Sequence, residues 1–274
     1  MWEYTSLHKI RAEDLMRTLA AFMVTLAWTT LASAQATYTP PAASSQAVAG
    51  IDFASGIPLT SLQSRYSTCD QTDMCDGKPV RKNYSCKTDP SRNTAILKLK
   101  NNVIFFDGKM AIDADGSQLS KSRGGTDLPE TAWRYPTSGV SVDAEHVPYL
   151  VLSREFVNAS YANLRPGVTI RTGDIAAIIY KDKTAYALVA DTGPACKIGE
   201  GSMKLHDELG HPSCARKDGN GICVKAINSG LPSDVLYFVF PDSAKTISKG
   251  LSPENVNERL SQEGPKLMQA LQGK

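Results

Sequence analysis

The sequence has little excess of either charge: 30 Lys and Arg face 28 Asp and Glu, a formal net charge of +2. A chain so near neutrality has no electrostatic footprint for nucleic acid or an anionic membrane surface. Long apolar runs are missing too. The apolar stretch from Leu19 to Leu31 is too short to cross about 30 Å of hydrocarbon as a helix. No segment repeats, and strand patterns do not alternate with long amphipathic helices, which argues against a doubly wound sheet or a (β/α)8 barrel. Histidines number only four, and no serine or cysteine motif such as G-x-S-x-G partners them, which argues against a Ser/His/Asp hydrolase. His206 and His211 have a spacing that zinc fingers use, but no closely spaced cysteine pair precedes them. No metal and no cofactor are expected.

The N-terminal region reads as a leader. From Met16 an arginine precedes the apolar run, and small residues follow, with cleavage points after Ala34 (A-S-A) or Ala36 (A-Q-A). Charged, apolar and small segments in that order make a secretory signal peptide, so residues 1–36 are expected to be removed and the protein exported. Residues 37–61, rich in Ala, Ser, Thr, Pro and Gln, read as a linker or loosely attached arm. Residues 62–274 are long enough for one domain with a substantial core. Six cysteines in an exported chain favour disulfides. They form an early cluster (Cys69, Cys75, Cys86) and a late one (Cys196, Cys214, Cys223). Fifteen connectivities are open, and pairing mostly within each cluster is expected.

Short β-like runs dominate the middle of the chain: 95–99, 103–106, 110–113, 148–153, 175–180, 184–190 and 235–240. Most are rich in Val, Ile, Tyr or Phe and bounded by Gly, Asp, Asn or Pro. Lys181-Asp182-Lys183 reads as a hairpin turn. Convincing helices are few. One starts at Ser202 and stops at Gly210; another follows Ser252-Pro253 and should be interrupted by Pro265. The pattern predicts a compact, mostly β barrel with peripheral helices.

The densest cluster of unusual residues is ADTGPACKIGEGS, residues 190–202. An apolar strand delivers Asp191 at its end, Gly193-Pro194 shapes a turn, and Glu200 stands between two glycines that let backbone and ligand approach closely. Two carboxylates facing one cleft are what glycosidic hydrolysis requires. The plainer alternative is a turn aspartate accepting backbone N–H bonds and a glutamate favoured by a helix N-terminus.

This segment resembles the family 75 chitosanases known mainly from fungi, and further segments appear in the same order. FDGKMAIDADG at 106–116 looks like the family's F-x-x-K-M-x-I-D-x-D-G. HVPYLVL at 146–152, GDIAAIIY at 173–180 and YFVFPDS at 237–243 are similar to its V-P-Y-x-V-L, G-D-x-A-A-V-I-Y and closing F-P-G-S strands. The resemblance covers roughly 98–243. It implies an inverting, endo-acting hydrolase of chitosan or a related amino-sugar polymer, with Asp191 and Glu200 as the essential carboxylates. Glu200 is favoured as acid and Asp191 as base. Ala114 departs from the family, which commonly has cysteine there.

Protonated amines on such a polymer would favour carboxylates along the cleft. Asp113, Asp115, Asp127 and Asp174 are candidate substrate contacts on that ground, with Tyr149 as a stacking ring and Lys197 within the motif. Asp107 and Asp143 follow the same logic. Asp113-x-Asp115-Gly116 also resembles a fragment of a calcium loop, but the later ligands of an EF-hand are absent. The D-T-G segment is faintly similar to the murein-cleaving "3D" domains, which are double-psi β-barrels. The expected architecture is therefore a double-psi-like β-barrel. A peptidoglycan-active barrel and a non-catalytic polysaccharide-binding module remain the competing functions. A monomer is expected.

Overall fold

A computed structural model describes residues 38–123, 127–227 and 229–274. The leader expected at 1–36 lies outside the described residues. The strands are β1 Ile57–Pro58, β2 Met74–Cys75, β3 Lys78–Pro79, β4 Ile96–Lys98, β5 Ile104–Asp113 and β6 Tyr149–Ser153. They continue as β7 Ile175–Tyr180, β8 Lys183–Gly193, β9 Glu200–Ser202, β10 Cys214–Lys217, β11 Cys223–Ala226 and β12 Leu231–Phe240. The α-helices are α1 Thr60–Thr72, α2 Gln118–Arg123, α3 Arg154–Val157, α4 Met203–Glu208, α5 Ala244–Ile247 and α6 Val256–Gln272.

Strands β5-β12-β7-β8-β6-β9 hydrogen-bond in that order, and β9 returns to β5. The sheet thus closes into a six-stranded barrel, as a double-psi-like barrel requires, and closure removes the free edges of those strands. Two of its pairings are parallel, β5 with β9 and β6 with β8; the remainder are antiparallel.

The strands read as nearly continuous apolar runs because both faces of the sheet are covered. Along β12, Val235, Tyr237 and Val239 enter one apolar cluster, while Leu236, Phe238 and Phe240 enter the other. Strand β7 alternates likewise, Ala176 and Ile178 against Ile175, Ala177 and Ile179. This is the period-two geometry of a pleated strand, with an apolar layer on each side. One cluster takes in Leu62 and Tyr66 of α1, Phe156 of α3 and Leu205 of α4. The other takes in Val256, Leu260, Met268 and Leu271 of α6.

The arm is packed onto this second cluster. Val48 and Phe53 are buried in it, the Tyr38 ring lies 4.7 Å from that of Phe105, and Gln272 of α6 donates to the carbonyl of Ala47. Its large apolar residues are few, but Val48, Phe53 and Leu59 are buried. The hairpin expected at Lys181-Asp182-Lys183 is present as a two-residue turn, with Tyr180 paired to Lys183 and Lys181 at φ 55°.

Three disulfides join Cys69 to Cys86, Cys75 to Cys196 and Cys214 to Cys223. Two lie within the sequence clusters. Each cluster holds three cysteines, so full pairing forces at least one bond between them; Cys75–Cys196 is that bond. Among the described residues, no helix is long and apolar enough to cross a membrane.

Candidate active site

Asp191 and Glu200 are placed by strand register. Across the barrel wall, Ala111 of β5 pairs with Glu200 of β9, Glu200 with Val151 of β6, and Val151 with Asp191 of β8. Strands are spaced by about 4.8 Å, so two spacings set the Asp191 and Glu200 backbones about 9.6 Å apart. Both side chains line one cleft of about 710 Å³.

The glycines around Glu200 are sterically required. Gly199 has φ +83°, and a Cβ there would lie 2.1 Å from the Lys109 carbonyl oxygen. A Cβ on Gly201 would meet Leu205 Cδ2 at 2.8 Å and Met110 Sδ at 3.1 Å. Behind them, the buried Ser202 hydroxyl accepts from the N–H groups of Tyr149 and Leu205 and donates to the carbonyl of Val147. One hydroxyl thereby caps α4 and fastens β9 beside the start of β6.

The two carboxyls have different surroundings. Asp191 Oδ1 accepts backbone N–H bonds from Ala132 (2.9 Å) and Thr192 (2.7 Å), which fix its orientation. Burial pushes the Glu200 carboxyl above its ordinary pKa, and the charge of Asp191 adds to this. The ammoniums of Lys109 and Lys197 act the other way. Both lysines are bound to Asp89 Oδ2, at 2.7 and 2.9 Å, and all three side chains line the cleft.

Asp113, Asp115, Asp127 and Lys197 are brought to the same cleft. Asp113 and Asp115 are nearly buried, and Asp127 is half-buried. Asp113 accepts from the Asp115 N–H (3.0 Å) and the Tyr149 hydroxyl (3.0 Å); Asp115 accepts from the Leu128 N–H (2.6 Å). Burial raises Asp113 well above the carboxylate range and pushes Asp115 up to about 8. Carboxylate oxygens of Asp113, Asp115 and Asp127 lie within 4.8 Å of one another, near enough to surround a cation. Those of Asp113 and Asp115 are, however, already taken up by the backbone, Tyr149 and neighbouring carboxyls.

Two candidates are not brought to the cleft. Tyr149 is fully buried, so it offers no stacking face; its ring fills the core and its hydroxyl finds Asp113. Asp174 is fully buried elsewhere and accepts from the N–H groups of Arg171 (2.8 Å) and Ala244 (3.0 Å), which ties two loops together. Asp107 is likewise spent on the backbone of Thr94 and Ala95.

Sequence reasoning passed over Asp89, Lys109 and Glu155. Lys109 had a signal, as the lysine of FDGKM. Asp89 and Glu155 had none, because each acquires meaning only through distant partners. Glu155 is fully buried, bound to Arg65 and to the N–H of Cys196 (2.9 Å), and so anchors the loop between Asp191 and Glu200.

Two carboxyls in register across one strand, lining one open cleft, are an arrangement that glycosidic hydrolysis can use. Residues 110–270, more than half the chain, match the family described as fungal chitosanase of glycosyl hydrolase group 75, and the chain belongs to that family. It is accordingly a chitosanase-type glycoside hydrolase. No curated protein matches it. A similar solved structure is the Streptomyces papain inhibitor, 17% identical over 49% of this chain and 94% of that one, with a TM-score of 0.24.

Proposed function

We propose that the protein is an exported, endo-acting chitosanase that cleaves β-1,4 linkages with inversion, using Glu200 as general acid and Asp191 as general base. The observation that carries this reading is the shared register of both residues with Val151. Their separation of two strand spacings, about 9.6 Å at the backbone, suits carboxyl groups about 6.5–9.5 Å apart with a water between them.

The proton assignments follow from the surroundings. Burial favours the protonated form of Glu200, the form that can protonate the leaving glycosidic oxygen. Lys109 and Lys197 then stabilise the carboxylate left behind. Asp191, held by its two backbone donors, takes a proton from the water that attacks the opposite face of the sugar. Asp127 supplies negative charge at the half-buried side of the cleft for protonated amines, and Lys197 serves Glu200 and the substrate together.

The organisation that goes with this function is a leader through residue 36, an arm at 37–61 and a chitosanase-like domain at 62–274. Three disulfides suit an oxidising, extracellular destination, and the chain is proposed to act as a monomer without cofactor. The test is incubation of the mature protein with highly deacetylated chitosan, following oligomer release by chromatography. Release that vanishes in Glu200→Gln supports the reading. Folded wild-type protein that releases nothing from chitosan, but releases fragments from murein, overturns it.

A further inference from the structure

Asp191 does not stand alone on its side of the cleft. Its carboxyl is hydrogen-bonded to that of Asp115, which is in turn hydrogen-bonded to that of Asp113. Asp113 receives the Tyr149 hydroxyl. A buried chain thus runs from Tyr149 through Asp113 and Asp115 to Asp191. Two carboxyls can hydrogen-bond to each other only if one of them keeps a proton.

The donors decide which one. Asp191 accepts two backbone N–H bonds on Oδ1, whereas Asp115 accepts one, from Leu128. Charge is stabilised where the donors are, so within the pair the negative charge belongs on Asp191 and the proton on Asp115.

We propose that Asp115 is a positioning residue for Asp191: it stays protonated, donates a hydrogen bond to the Asp191 carboxylate, and so holds the base ionised and aimed at the attacking water. The proposal deepens the chitosanase reading and rests on Asp191 being the base. It differs from the expectation that Asp115 binds substrate amines, which would need Asp115 as an anion. Burial favours the neutral acid independently, pushing this carboxyl up to about 8.

The test compares Asp115→Ala with Asp115→Asn. An asparagine amide donates to Asp191 while its oxygen accepts the Leu128 N–H, so it reproduces the protonated acid and not the carboxylate. Alanine is expected to lower kcat with KM little changed, and to move the acid limb of the pH–rate profile up by about one pH unit or more, since a donor to a charged acceptor is lost. Asparagine is expected to rescue most of that loss and return the acid limb towards the wild-type position. Loss in Asp115→Asn equal to that in Asp115→Ala would overturn the proposal, because an anionic role is what asparagine cannot fill. Rate lost on EDTA treatment and restored by calcium chloride would overturn it as well. Carboxyl 13C titration of Asp191, assigned by Asp191→Asn, reads the same pKa change without substrate. An Asp191 pKa that rises in Asp115→Ala and falls back in Asp115→Asn supports the proposal even if chitosan is not the polymer cleaved. An Asp191 pKa indifferent to both variants overturns it.

Discussion

Asp191 and Glu200 stand level with each other on either side of one strand, each paired in register with Val151 of β6. They are nine positions apart in sequence, but the sheet, not the loop, fixes the spacing of their backbones. The proposed inverting reaction needs room for a water between the two carboxyls, whereas direct attack on the sugar would need them about 5 Å apart. Early products of chitosan cleavage are therefore expected as the α-anomer, the inverted form, in proton NMR spectra recorded before mutarotation. A first-formed β-anomer would rule out this division of labour.

Gly199 sets the entry to β9. With φ +83°, and the Lys109 oxygen 2.1 Å from where a Cβ would stand, the residue before Glu200 has no room for a side chain. The same carbonyl accepts the Tyr237 hydroxyl at 2.6 Å, so it cannot retreat without breaking a buried bond. Gly199→Ala is expected to cost about 1–3 kcal/mol of stability and to depress kcat by displacing Glu200. Thermal melting and chitosan hydrolysis measured on one preparation check both effects. A variant with wild-type melting and activity would show that the loop relaxes freely.

Much of this barrel was legible because its strands are buried on both faces. Ile175–Tyr180 reads as a strand in sequence and is one, and Ser202 was recognisable as the cap of α4. The runs at 103–106 and 110–113 looked like two strands because Asp107-Gly108 resembles a turn. They are one strand, since Asp107 binds the backbone of Thr94 and Ala95 instead of closing its own turn. Helix α1 was missed. Its buried face is only Leu62, Tyr66 and Cys69, too sparse a stripe to stand out among Ser, Thr and Gln.

Helix α6 shows tertiary packing overriding local preference. It begins at Val256, one turn beyond the Ser252-Pro253 signal, and it runs through Pro265 without ending. An interior proline costs about 3 kcal/mol. Burying Met268 and Leu271 beyond it returns about 1.5–3 kcal/mol each, so continuation wins. The pair at 191 and 200 was legible as a motif, with Lys197 inside it; the meeting of Lys109 with Glu200 and of Asp115 with Asp191 was not. Those two contacts join residues tens of positions apart, and no local pattern encodes them.

The Cys75–Cys196 disulfide ties the loop between the two carboxylates to the β2–β3 hairpin, closing 121 residues of chain. Replacing both cysteines with serine is expected to cost about 2–4 kcal/mol in denaturant unfolding. A serine keeps the backbone N–H bond of residue 196 to the buried Glu155 but loses the covalent tie of the loop that joins Asp191 to Glu200, so activity should fall below what the stability loss explains. The Cys214–Cys223 disulfide spans only 9 residues, and neither cysteine lines the cleft. Its removal should cost less and leave turnover intact. Equal losses of activity in the two variants would refute a specific role for the first bond.

Stability should carry the mark of the neutral acid behind Asp191. The folded-state pKa of Asp115, about 8, lies above the ordinary 3.8. Below 3.8 the group is protonated in both states and costs nothing. As pH rises towards 8 the unfolded chain ionises it while the fold holds the proton, so the unfolded state gains and stability falls. His206, pushed down to about 4 by burial, acts in the opposite sense: its contribution is complete above 6.5 and is lost as pH falls towards 4. Comparing wild type with Asp115→Asn cancels the histidine and isolates the aspartate. The melting temperature of Asp115→Asn is expected to gain on wild type progressively from pH 4 to pH 8 and to run parallel to it below pH 4. A constant difference across that range would mean that Asp115 ionises as freely in the fold as in the unfolded chain, and that the hydrogen bond to Asp191 is not held by a proton.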